Sequence, residues 1–182
     1  MPWSADDVLL RKTIVLSIFA SIAVVLGIAE SMIPFAVAVP GAKLGLGNMM
    51  VLTCLYYFNA RDSLGLILLK TVITAFLLGS FSTFLFSLMG ALGSFVVMYA
   101  MLRLGRGSFS LLGISVMGGV AHNVGQLFAA SMVLGTTRIF YYLPFLLAAG
   151  AATGIFVGMS AKQLIAALQR IEWFRRREWA RP

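Results

Sequence analysis

Long apolar stretches dominate the chain, and they are broken at short intervals by glycine, proline and arginine rather than alternating with polar residues. Continuous runs of about 20 apolar residues suit helices that cross a bilayer, whereas barrel strands alternate with period two. The pattern predicts an all-α, polytopic membrane protein, a six-transmembrane-helix bundle with spans over about 13–33, 44–58, 63–79, 81–102, 111–134 and 139–159. Pro34 ends the first span, and Arg61-Asp62 marks a tight turn into the third. The second is short for a full span and carries Gly45 and Gly47, where a helix can unwind. Thr13 to Ala29, followed by Ala36-Val37-Ala38, has the outline of a secretory leader. The run continues to Phe35, however, and Asp6 and Asp7 spoil the basic leader, so the segment reads as a span.

Composition agrees with the pattern. Of 182 residues, 60% are hydrophobic and 11% charged, against about 25% charged in soluble domains. Mean hydropathy is +0.97. So few polar groups cannot cover a water-facing surface, and in lipid the backbone must satisfy itself as helices.

The net charge of +8 would suggest nucleic acid in a soluble protein. Here its placement sets orientation instead. Arg11, Lys12, Arg61, Arg103, Arg106, Lys162, Arg170, Arg175, Arg176, Arg177 and Arg181 fall on one side, against Lys43 and Arg138 on the other. Basic residues are retained inside, which predicts both termini in the cytoplasm and a multi-pass protein of the cytoplasmic (inner) membrane. The segment 162–182 reads as a basic aromatic cytoplasmic tail. Its Trp173, Phe174 and Trp179 among arginines suit the lipid interface, or else the acidic groove of a partner; lipid is the preferred reading. The single domain 1–182 shows no linker and no internal repeat.

Small residues pattern two spans. Gly150, Gly154 and Gly158 mark one face of the sixth, and Ser17/Ser21 with Ala23/Gly27 mark faces of the first. Such faces let helices approach closely, within the bundle or against a partner subunit.

Catalytic chemistry finds little support. The chain has no phosphate loop, and one histidine and one cysteine, Cys54, cannot build an ordinary zinc site. No aspartate cluster is present to hold magnesium for diphosphate chemistry. The expectation is therefore a non-enzyme, without cofactor, metal or catalytic residue, that works on a small molecule in contact with membrane lipid.

Polar groups at membrane depth are the remaining signal, because they are costly there. Glu30 lies near the outer end of the first span. The loop Pro40-Gly41-Ala42-Lys43-Leu44-Gly45-Leu46-Gly47-Asn48 follows, and its glycines let the backbone bend and present amides to an anion or a polar ligand edge. Lys43 and Asn48 are its candidate contacts. His122 and Gln126 share one face of the fifth span with Gly118, and Asn123 stands beside them. These residues serve either a pocket or a helix–helix hydrogen bond. Lys70, inside the third span, either snorkels to the headgroups, the preferred reading, or points inward toward an acid such as Glu30. Arg138 and Tyr141, with Tyr142, open the sixth span on the outer side, where Arg138 and Lys43 together would attract an anionic solute.

The run Pro40-Gly41-Ala42-Lys43-Leu44-Gly45-Leu46-Gly47-Asn48 before an apolar helix resembles the Gx transporter family, also called heptaprenyl diphosphate synthase component I. The run Gly113-Ile114-Ser115-Val116-Met117-Gly118-Gly119-Val120-Ala121-His122-Asn123-Val124-Gly125-Gln126 resembles its second signature. Tyr141-Tyr142-Leu143-Pro144 and the glycine-spaced last helix are similar to it as well. The likeness covers roughly Thr13 to Ser160. It implies kinship with the S components of energy-coupling factor (ECF) transporters, six-helix proteins that capture vitamins from outside and dock on a transmembrane subunit with ATPases. The first span departs from the best-known of those proteins in lacking a clear Ala-x-x-x-Ala, for which Ser17/Ser21 and Ala23/Gly27 are approximate substitutes. The resulting expectation is an S-component-like, substrate-binding subunit for uptake of a vitamin-like or isoprenoid/quinone-related compound. The alternatives are a non-transporting anchor or accessory subunit of a prenyl-diphosphate or electron-transfer system, and a secondary carrier with Glu30 or His122 handling a proton.

Overall fold

The computed structural model describes residues 5–32, 45–78, 81–105 and 108–176. Among these residues every regular element is helical: α1 (Ala5–Ser31), α2 (Leu46–Tyr57), α3 (Ala60–Leu78), α4 (Phe81–Leu104), α5 (Leu111–Leu134), a 3₁₀ turn (Thr137–Tyr142), α6 (Leu143–Leu168) and the short α7 (Glu172–Arg176). The helices fall where the apolar runs place them. Their ends shift for local reasons. Helix α1 starts well before Thr13, because Asp6 and Asp7 sit favourably in its first turn. Helix α6 starts late, after the 3₁₀ turn, and continues nine residues past Met159.

Among the described residues, length and composition qualify four segments to cross a membrane: Asp6–Ser31, Phe84–Leu104, Leu111–Leu134 and Thr137–Leu168. The expected six is thus not reached on these criteria. Helix α2 has 12 residues, about 18 Å at 1.5 Å per residue, against an apolar core of about 30 Å. Helix α3 carries Arg61, Asp62 and Lys70 within its 19 residues.

The caps follow from sequence. Asn59 N–H donates to Asp62 Oδ2 at 3.1 Å at the head of α3, and the same carboxylate pairs with Lys12 of α1 at 2.8 Å. The Ser110 hydroxyl accepts Gly113 N–H at the head of α5, and Gly135 ends that helix with φ +62°. A left-handed residue there costs glycine nothing.

Helix α2 lies at the centre. Met50, Val51, Leu52, Thr53, Cys54, Leu55 and Tyr57 are buried on it, and they share one core with Phe19, Ala20 and Ala23 of α1, Ile67 of α3, Phe95 of α4 and Ala161 of α6. The other seam, α4–α5–α6, brings backbones together. A side chain at Gly119 would strike the Gly150 carbonyl, and one at Gly154 would lie 2.6 Å from Val116 Cα. The glycine stripe of the sixth span therefore packs inside the bundle. On α1, Ala23 is buried while Ser17 and Ser21 face outward.

The tail departs from the lipid-interface expectation. Phe174 is 6% exposed. It stacks on Phe19 (6.4 Å, 6° between planes) and meets Tyr57 edge-on at 5.0 Å, while Trp173 tilts against Phe58. Because α6 continues to Leu168, the turn after it carries α7 back beneath the bundle, and two rings gain more from burial against three others than from headgroups. Trp179 lies outside the described residues.

Candidate functional site

The site forms at the N-terminal end of α2. A helix leaves its first amides without partners of its own, and each unpaired amide in apolar surroundings is costly. Glu30, at the end of α1, supplies what is missing. Its Oε1 accepts Gly45 N–H at 2.6 Å and its Oε2 accepts Leu46 N–H at 3.2 Å. A carboxylate is also favoured electrostatically at a helix N-terminus. Gly45 has φ +73°, a backbone state that suits glycine, and this turns both amides toward the acid. The amides expected to meet an anion do so, and the anion is the chain's own Glu30.

Gly47 has a different task. A Cβ there would lie 3.2 Å from the Ala23 carbonyl and 3.3 Å from Lys70 Nζ, so glycine leaves room for the lysine amine beside the first turn of α2. Lys70 does not snorkel. Its Nζ donates to Asn48 Oδ1 at 2.9 Å. Lysine can only donate, so the asparagine oxygen must face it and the Asn48 amide nitrogen must face the other way. That nitrogen meets His122 Nδ1 at 3.2 Å. Nδ1 therefore accepts, and this network assigns the ring proton to Nε2. Gly90 of α4 makes space for the ring: a Cβ there would sit 2.9 Å from His122 Cε1.

The result is a polar line through an apolar bundle, from Lys70 on α3 through Asn48 on α2 to His122 on α5, with Glu30 of α1 on the same first turn of α2. It borders a cavity of about 20 Å³ lined by residues including Asn48, Ser94, Ser115, His122, Asn123 and Thr153.

The structure thus brings together Glu30, Asn48 and His122 of the expected site residues. Asn123 borders the cavity and also donates to the Leu146 carbonyl at 2.6 Å, joining α5 to α6. Gln126 is buried one turn beyond His122. Arg138 is exposed at the 3₁₀ turn, and Tyr141 is 83% exposed; neither lines the cavity. Lys43 lies outside the described residues. Sequence reasoning missed Lys70 as a member, although its one signal, a lysine at membrane depth, was legible. It also missed Ser94 and Ser115, because serine in an apolar helix carries no distinguishing pattern. Among the described residues, no three His, Cys, Asp or Glu side chains gather as a metal site would require.

Fold and site together define a multi-pass, all-helical membrane protein, in contact with lipid, with a charged and hydrogen-bonded centre. Residues 19–164 match the family model described as heptaprenyl diphosphate synthase component I, and the chain belongs to that family. Neither a curated protein nor a solved structure matches it.

Proposed function

We propose that this chain is a substrate-capture membrane subunit, S-component-like, for uptake of a small vitamin-like or isoprenoid/quinone-related compound, and that it performs no catalysis itself. The observation that carries the reading is the Lys70–Asn48–His122 line beside a small cavity. Ionisable groups held deep in an apolar bundle are expensive and are ordinarily kept for a ligand or ion. In this reading α2 and α3 complete a six-span bundle, with both termini cytoplasmic in the inner membrane. The cavity then widens to admit a ligand from the outer side, where Lys43 and Arg138 draw it in, and an ECF-type transmembrane subunit with ATPases supplies the energy.

The test is thermal unfolding of the detergent-purified chain against flavins, thiamine, biotin, quinone precursors and prenyl diphosphates. One class is expected to raise Tm with concentration, as binding linkage requires. Asn48→Ala and His122→Ala should lose that shift, while Tyr141→Ala keeps it. A second reading rests on the family's name, which makes its members one component of a synthase: the chain anchors or assists a prenyl-diphosphate or electron-transfer enzyme. Silence across the panel, together with retention of a soluble prenyl synthase in a pull-down, would replace the first reading with the second.

A further inference from the structure

Many hydroxyl groups in this bundle bond back to their own helix, and two buried ones do not. Eight serine and threonine side chains, Thr13, Ser21, Ser31, Thr53, Ser63, Thr71, Ser131 and Thr153, donate to a carbonyl three or four residues earlier. This is the usual way a helix disposes of a hydroxyl in apolar surroundings. Ser94 on α4 and Ser115 on α5 do not. They are 2% and 3% exposed, and their oxygens have no hydrogen-bond partner. Gln126 Oε1 is also unpartnered, but it does not line the cavity, whereas both serines do.

Two buried hydroxyls that forgo the local bond and border the same small space are placed to bind something there. The size of the space limits the choice. At about 20 Å³ it accommodates a single water, for which roughly 10–15 Å³ is enough. The charge limits it further. Among the described residues no carboxylate lines the space, which disfavours a metal cation. A buried water needs two to four polar partners. Ser94 and Ser115 supply two, and His122, Asn48 and Thr153 border the same space.

We propose that Ser94 and Ser115 hold one ordered water in this cavity, and that it extends the Lys70–Asn48–His122 line to α4. The water completes a polar link from α3 across α2 and α5, and it gives each serine the partner its own helix does not. The inference stands apart from the capture reading: the subsite is a property of the ligand-free protein.

The chain has one histidine, so ¹⁵N-histidine labelling reports on His122 alone in a protein purified without a histidine tag. In bilayers, solid-state NMR should show magnetisation transfer from water to the His122 ring, with the proton on Nε2. Absence of transfer in the native protein overturns the proposal, whatever any variant does. Stability provides a second arm. Ser94→Ala and Ser115→Ala should each lower Tm by about 2–4 °C. The double variant should fall by less than the sum, because both changes remove the same water. Deleting a hydroxyl that truly lacks a partner relieves a burial cost instead, so unchanged or higher Tm in both single variants would also overturn it.

Discussion

The two halves of the bundle are held together by different means. Along α4, α5 and α6 the backbones themselves touch, with Gly119 against Gly150 and Gly154 against Val116. Around α1, α2 and α3, large side chains and hydrogen bonds fill the space, from Phe19, Tyr57 and Phe174 at one end to Glu30, Lys70 and Asn48 at the other. The difference concerns tolerance. A glycine seam has two fixed backbones and nothing that can rotate away. A side-chain seam can exchange rotamers and partners. His122 stands on the glycine side and Asn48 on the other, so the polar line crosses from a rigid wall to an adjustable one.

The largest expected effect breaks the rigid wall. Gly154→Leu puts a side chain where even a Cβ is 2.6 Å from Val116 Cα; backbone must move, at a cost of about 3 kcal/mol or more. Folded protein should be lost in denaturant titration. Next comes the opposite wall at its aromatic end. Phe174→Ala removes a ring packed on Phe19 and Tyr57 and should destabilise by about 3 kcal/mol. A loss below about 0.5 kcal/mol, typical of surface positions, would return the tail to the lipid interface.

Smaller effects sharpen the contrast at α2. Glu30→Ala strands two amides and should cost about 1–3 kcal/mol. Glu30→Gln keeps one acceptor oxygen and should recover part of that loss, which a role confined to charge would not allow. Gly45→Ala forces a Cβ into left-handed backbone and should cost about 1 kcal/mol. Hydrogen exchange at the first turn of α2 would show whether the damage is local, as the adjustable wall requires.

Helix positions were legible from sequence because apolar length and breaker residues act locally. The fifth helix, Leu111–Leu134, begins and ends where the pattern places it, and the structure shows it capped by Ser110 and Gly135. Glu30, Asn48 and His122 were legible as candidates because polar groups in apolar runs are few. Their association was not, since residues 30, 48, 70 and 122 lie on four helices and nothing along the chain records which faces meet. Lys70 shows the limit most clearly: snorkelling and inward pointing are compatible with the same residue in the same helix, and only the space beside Gly47 and the oxygen of Asn48 select between them.

The sequence by itself determined that this is an all-helical membrane protein of this family, because burial in lipid leaves a long apolar chain one way to satisfy its backbone. Only the tertiary structure decided which polar groups find one another, that Phe174 turns inward, and that Ser94 and Ser115 border one cavity. Those outcomes depend on helix rotation and packing depth, which are set by contacts between segments far apart in the chain.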